Sequence, residues 1–398
     1  MRISSNTIFD SNVAALNQQQ TRLLQTQQQI ASGRRILTAS DDPVAATRAL
    51  QISQADATNT QYASNRDSAR HTLSLAEGTL QSVTSLIQDV RDLTIAAGSG
   101  SLNSSGRKAI ATDLTARLHE LTGLANSTDG LGNYLFSGFQ SKTKPFVDTI
   151  TGMDFFGDDG QRNVQVSAAR QMASSDSGAD VFMRIRNGNG KFAIQATAAN
   201  TGTGTISQGS VTNPALLTGN NYSVSFSVVA GVTTYDVTNT TTAAVVSAGN
   251  PYVSGQAISF DGIQFDIKGA PVDGDKFTVA PSANESIFTT LSDLINALNT
   301  PVVGANLTNS LGHGLNQLDN ALNNVLTTRA TLGLRLNELD ALDITGEDMG
   351  LQFKQALSKL QDTDYNKAIS DLTQQNMSLQ AAQKSFVKAT DLSLFNYI

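Results

Sequence analysis

Phe9-Asp10-Ser11-Asn12-Val13-Ala14-Ala15-Leu16, continued by Leu23, Ile30 and Leu37, puts an apolar side chain at every seventh position of the opening segment. Val13 adds one complementary position, whereas Gln20 and Gln27, the next two in that row, are polar. A seam that is apolar on only half its positions supercoils against a partner helix but is weak alone. The runs Gln18-Gln19-Gln20 and Gln27-Gln28-Gln29 thin it further, so the segment is expected to be poorly ordered in the free chain and helical in an assembly. The far end repeats the pattern: Ile369 is followed by Leu372, Leu379 and Phe386, the last three seven apart.

Inward from the first seam lies a helix start. Asp42 before Pro43 places a capping carboxylate ahead of a proline at the first helical position. The helix it opens is expected to run to Ala97 and stop at Gly98-Ser99-Gly100, with Leu73, Ala76, Leu80, Val83, Ile87 and Val90 on one face. Ser105 is the expected cap of a further helix carrying Ile110, Leu114 and Leu121. Near the other end, Ile287, Leu291, Leu294 and Leu298 form a short amphipathic helix stopped near Pro301, and Leu311 to Leu339 holds a second, longer seam. Another helical stretch is expected beyond Gly346, then a break at Asp362-Thr363-Asp364 with Thr363 as cap.

The middle reads differently. Tyr222, Val224, Phe226 and Val228 alternate with serines, and Asp261-Gly262 separates two apolar runs, a strong hairpin signal. Asn187-Gly188, between Ile185 and Phe192, signals a second hairpin, and residues 197–214 read as loop. The expected class is therefore α+β: an elongated antiparallel helical bundle or coiled coil built from both chain ends, with an inserted, mostly-β outer domain. The expected division is an N-terminal segment 1–42, a helical core 43–149 with 286–362, the β-rich domain 150–285, and a C-terminal helix 363–398.

Composition narrows function. Of 398 residues 39% are hydrophobic but only 15% charged, a surface rich in Ser, Thr, Asn and Gln that suits close packing against copies of itself. A net charge of −7 argues against a nucleic-acid partner. The absence of cysteine excludes disulfides and thiolate metal sites. No apolar run reaches the ~18–20 residues of a membrane helix. Met1-Arg2-Ile3-Ser4-Ser5-Asn6 leads into no apolar core, so an ordinary cleavable signal peptide is not expected.

Searches for chemistry return little. His71, His119 and His313 lack ligand partners at metal spacing, and no nucleophile elbow, phosphate loop or cofactor fingerprint appears. Asp154, Asp158 and Asp159 fail the calcium-loop pattern and read as a solvated turn. No catalytic, cofactor or metal residue is assigned.

Two sets of residues carry a family resemblance. Ala31-Ser32-Gly33-Arg34-Arg35-Ile36-Leu37-Thr38-Ala39-Ser40-Asp41-Asp42-Pro43 resembles the N-terminal motif of flagellins and their relatives. Ala125-Asn126-Ser127-Thr128-Asp129-Gly130, then Tyr134-Leu135-Phe136-Ser137-Gly138 and Pro145-Phe146, resembles the flagellar hook-associated protein 3 family, the hook–filament junction branch of that superfamily. Met1-Arg2-Ile3-Ser4, Thr328-Arg329-Ala330-Thr331-Leu332-Gly333 and Leu392-Ser393-Leu394-Phe395 agree with it. The resemblance implies a structural, non-enzymatic subunit of the bacterial flagellum, exported unfolded by the flagellar type III apparatus after a cytoplasmic chaperone grips its C-terminal region. It implies a ring of copies between hook-associated protein 1 and the flagellin filament, with both terminal segments paired as a coiled coil lining the axial channel. Phe9, Val13, Leu16, Leu23, Ile30 and Leu37 would then pack with Ile369, Leu372, Leu379 and Phe386. The β insert departs from the shortest members of the family. Flagellin itself is the alternative reading. A glycan hydrolase in the insert would need paired carboxylates, and Asp261, Asp266, Asp273 and Asp275 read better as turn residues.

Overall fold

A computed structural model describes residues 5–150, 152–300 and 304–391. The α+β class is present: among the described residues six α-helices hold a run of short antiparallel strands between the third and fourth. The helices are α1 (Ser5–Ser32), α2 (Pro43–Ala97), α3 (Ser104–Ala125), α4 (Ile287–Asn299), α5 (Ala305–Gln361) and α6 (Tyr365–Asp391). The chain forms two compact units, residues 1–64 with 341–398 and residues 65–340.

The helix ends show which sequence signals carried. α2 begins at Pro43, and Asp42 Oδ1 accepts the Ala45 N–H at 3.0 Å, as the cap-and-proline pattern requires. α3 is capped by Asn103, whose side chain accepts the Gly106 N–H at 2.8 Å, and not by Ser105, which lies inside the first turn. α6 is opened by Asp364, whose Oδ1 accepts the Lys367 N–H, so the cap sits one residue after Thr363. Gly346 does not interrupt α5, because one glycine inside a helix costs only about 1 kcal/mol of helix propensity.

In the larger unit α2 and α5 run antiparallel. Arg70 pairs with Asp340 at 2.9 Å, Glu77 with Arg329 at 2.7 Å and Arg91 with Asp319 at 2.9 Å, so numbers rise on one helix as they fall on the other. The expected stripe Leu73, Ala76, Leu80, Val83, Ile87 and Val90 is buried. So is every seventh residue of α5 from Leu311 through Leu318, Val325 and Leu332 to Leu339.

The β region is two main sheets and three hairpin-sized pairs. The five-stranded sheet runs, in spatial order, Ala244–Pro251, Val232–Asn239, Tyr222–Val229, Lys276–Pro281 and Phe192–Ala196, all antiparallel. A smaller sheet centres on Ile263–Lys268, paired with Ala257–Phe260 through the expected Asp261-Gly262 turn. The two-residue strands Thr205–Ile206 and Ser210–Val211 complete it, so 197–214 is not wholly loop. Tyr222, Val224, Phe226, Phe265, Ile267, Phe277 and Val279 belong to one core shared by both sheets. Asn187-Gly188 does turn the chain, with Gly188 at φ +60, but its flanking strands do not pair with each other. Ile185–Arg186 pairs with Asn284–Glu285 and Phe192–Ala196 with Lys276–Pro281.

Candidate assembly interface

In the smaller unit α1 packs against α6. The Phe9 and Phe386 rings stack, tilted by 48° with centroids 5.3 Å apart. At the other end of the pair, the Thr363 hydroxyl donates to the Gln29 carbonyl at 3.3 Å, so the helices are antiparallel. Val13, Leu16, Leu23 and Ile30 on α1 and Leu372 and Leu379 on α6 are half-buried. Ile369 stays 52% exposed, and Ala368 beside it takes the buried position. Leu37 lies in the turn beyond α1, since Gly33, at φ +70, ends that helix four residues earlier. Among the described residues of this unit no side chain larger than threonine is buried: Thr26, Ala45, Ala49 and Ala368 are the buried ones apart from Gly346.

Two turns close the pair. Arg35 N–H donates to the Gln361 carbonyl at 2.6 Å, and Thr363 N–H to the Gly33 carbonyl at 2.9 Å, with Arg34 bridged to Asp362 between them. The Arg35 guanidinium donates to the Leu360 carbonyl at 3.0 Å. The Ser32 hydroxyl accepts the Arg34 N–H at 3.3 Å. Asp41 holds the α1–α2 turn: its carboxylate accepts the N–H groups of Leu37 and Thr38 at 3.0 and 2.9 Å and the Gln25 amide at 2.8 Å. The bond from Thr38 leads in holding this carboxyl below the usual aspartate range. The motif from Ser32 to Pro43 is thus a backbone clasp between the turns that precede α2 and follow α5.

The second motif folds a separate knot in the larger unit. Asn126 caps α3 and pairs both amide atoms with the Phe146 backbone, donating to its carbonyl and accepting its N–H at 2.9 Å each. Asp129 accepts the N–H groups of Leu131 and Asn133 and the Asn133 side-chain amide. Partial burial would raise its pKa, but those three bonds outweigh that and leave it lowered. Gly130 turns at φ +80. Gly138, at φ +70, lies so close to Asp158 that no Cβ would fit. Phe136 is buried edge-on against Phe182 at 5.4 Å, in a cluster with Phe146 and Phe288.

The sequence reading missed an amide ladder on α5. Asn306 donates to the Asn200 carbonyl at 2.6 Å and Asn309 to the Gly204 carbonyl at 2.9 Å, while Asn309 Oδ1 accepts the Ile206 N–H at 3.0 Å. Gln317 accepts the Gly188 N–H, Asn320 donates to the Arg186 and Gly188 carbonyls, and Asn324 to those of Asp180 and Val181. The signal was available: Asn306, His313 and Asn320 are seven apart, as are Gln317 and Asn324, beside the leucine row. Of the aspartates considered for chemistry, Asp261 accepts the Tyr222 hydroxyl, Asp273 the Val228 N–H, and Asp275 the N–H groups of Thr201, Gly202 and Val272, whereas Asp266 is not a turn residue but lies within the strand Ile263–Lys268, opposite Ala257.

Comparison with known proteins follows the same division. Residues 3–141 match the model of the bacterial flagellin N-terminal helical region, and residues 195–281 that of the D2-like domain of flagellar hook-associated protein 1. Flagellar hook-associated protein 3 of Salmonella typhimurium is 30% identical over 99% of both chains. The crystal structure of the flagellar junction protein from Legionella pneumophila is 34% identical, covers 79% of this chain and 100% of its own, and superposes with a TM-score of 0.71. Escherichia coli flagellin is 23% identical over 62% of this chain.

Proposed function

Because the chain belongs to the flagellar hook-associated protein 3 family, we propose that it is a structural subunit of the bacterial flagellum that forms the junction ring between hook and filament by folding its ends as it assembles. Its neighbours in that ring are further copies of itself, with hook-associated protein 1 on the hook side and flagellin on the filament side. The full-length likeness to hook-associated protein 3, against a partial one to flagellin, favours the junction over the filament.

One observation carries the mechanism. Among the described residues of 1–42 and 363–398 only Thr26 and Ala368 are buried, while Phe9, Leu24, Ile369, Met377 and Val387 stay between 48% and 61% exposed. Burying a large apolar side chain contributes about 1.5–3 kcal/mol, whereas ordering each residue costs roughly 1–2 kcal/mol of backbone entropy. A helix pair without a buried large side chain does not recover that cost alone. Neighbouring copies supply the missing burial. The segments 1–42 and 363–398 are accordingly disordered in the free monomer and paired in the ring. The core 43–149 with 286–362 and the outer domain 150–285 stay folded throughout. Export unfolded through the flagellar type III route, with a chaperone on the C-terminal region, suits ends of this kind.

Two measurements test the proposal. Limited proteolysis of the free protein is expected to remove roughly the first 40 and last 35 residues; resistance of both ends would overturn coupled folding. A deletion strain is expected to keep its hooks and shed flagellin monomers into the medium. Filaments still attached to hooks would overturn the junction role.

A further inference from the structure

The strands Asn163–Ser167 and Arg170–Ala173 pair antiparallel as a hairpin that reaches both long helices of the larger unit. On α2, the Asn65 side-chain amide donates to the Gln165 carbonyl at 2.8 Å and the Arg66 guanidinium to the Val166 carbonyl at 3.0 Å. On α5, the Glu338 carboxylate accepts two bonds from the Arg170 guanidinium, at 2.6 and 2.8 Å. Arg335 makes a second forked pair, with Asp176 three residues past the hairpin, at 2.9 and 3.0 Å. That pair is the stronger tie, since its side chains are 16% and 14% exposed against 53% and 36% for Arg170 and Glu338, and water screens exposed charges. Val166 and Met172 are buried, so the hairpin also encloses apolar side chains.

The packing of the same two helices changes at this level. On one side Leu73, Leu80, Ile87 and Val90 of α2 and Leu311, Leu318, Val325, Leu332 and Leu339 of α5 are buried. On the other, from Pro43 to Ser64 and from Ala341 to Gln361, the only buried residues are Ala45, Ala49 and Gly346. Val44, Leu50, Ile344 and Leu351 there are between 56% and 76% exposed. Both helices run through this level unbroken, so what changes is the burial that supports them.

We infer that the hairpin is a clamp dividing each long helix into two parts: one that opens only with the whole unit, and one, 43–64 and 341–361, that opens separately and more often. The clamp stands where burial of large side chains stops, and its ties fall at Asn65, Arg66, Arg335 and Glu338. A helix with little packed against it has only its own marginal propensity to hold it. Opening therefore spreads inward along α2 and α5 until it meets these ties. Both parts are folded at equilibrium, and they differ in the free energy of local opening. The inference concerns the free chain and does not rest on the junction reading.

Hydrogen–deuterium exchange of the full-length protein, read segment by segment, tests the clamp. Segments within 44–64 and 341–361 are expected to exchange at least about tenfold faster than those within 73–90 and 318–339, with a step at the hairpin's ties. Arg335→Met removes the more buried tie. It is expected to move 69–73 and 332–339 into the faster group while 80–90 and 318–325 keep their rates. Glu338→Gln cuts only the exposed pair and should shift the same segments by less; it carries the test alone if Arg335→Met does not fold. Protection that declines smoothly along 90–44 and 318–361 in the unsubstituted protein overturns the inference. So does a step left unmoved by the substitution, or an equal acceleration of every segment, which would make the hairpin one more part of a uniform core.

Discussion

Phe136 is where the second family motif meets the hydrophobic core, and removing its ring gives the sharpest test of what that motif does. The side chain is 1% exposed, and its ring meets Phe182 edge-on, in a cluster that also holds Phe146 and Phe288. Truncating a buried phenylalanine to alanine costs about 3–5 kcal/mol through lost transfer and an unfilled cavity. The edge-to-face pair adds roughly 0.5–1.5 kcal/mol. The surroundings have little freedom to collapse: Gly178, whose N–H donates to the Phe136 carbonyl, already lies against that carbonyl and the Phe146 ring. The upper part of the range is therefore expected. For a unit as large as residues 65–340, each kcal/mol moves the melting temperature by about 2–4 °C. Phe136→Ala should then lower the main transition, followed by circular dichroism, by roughly 10 °C or more. Phe136→Leu, which keeps most of the volume, should lose less than half of that. An alanine variant melting within about 2 °C of the unsubstituted protein would refute the enclosed ring cluster and with it a packing role for the motif.

Three further outcomes are expected. Gly33→Ala forces a side chain into a left-handed conformation, at about 1–2 kcal/mol, and sets its Cβ 3.0 Å from the Tyr365 hydroxyl, so it should loosen the clasp and speed cleavage between α1 and α2. Asn309→Leu leaves the Gly204 carbonyl and Ile206 N–H without their side-chain partner, and hydrogen exchange at Ile206 should accelerate by roughly tenfold or more. Asp129, with its pKa lowered from the ordinary 3.8, contributes stability that is whole above that value and drains away as pH falls through the lowered one. An acid titration of Asp129→Asn should therefore show a shallower loss of stability below pH 3.8 than the unsubstituted protein.

Local signals in this sequence translated well where the physics is local. Asp42-Pro43 marked a helix start to the residue, Gly98 its end, and Asp261-Gly262 a hairpin, because caps and tight turns depend on a few adjacent atoms. The leucine rows of α2 and α5 gave the core of the helical part for the same reason: their period is the helix's own. Partnerships between distant segments were hidden. Nothing near Ile185 announces that it pairs with Glu285 rather than across the Asn187-Gly188 turn. Leu37 continues the heptad in sequence but not in space, since Gly33 breaks the helix between them. Alternation could place the apolar residues of the ends on a seam, yet only their exposure in the folded chain shows how little that seam encloses.

The amide ladder on α5 grips carbonyl and N–H groups of the β region, hardly any of its side chains. A mount that reads only the peptide unit is blind to what each residue displays. Surface positions of the outer domain that stay clear of α5, unlike Asp176 and Arg170, which pair with Arg335 and Glu338, can therefore be exchanged without loosening its footing. The part of the molecule that meets the outside world is free to change its face, while the leucine rows that support it are not.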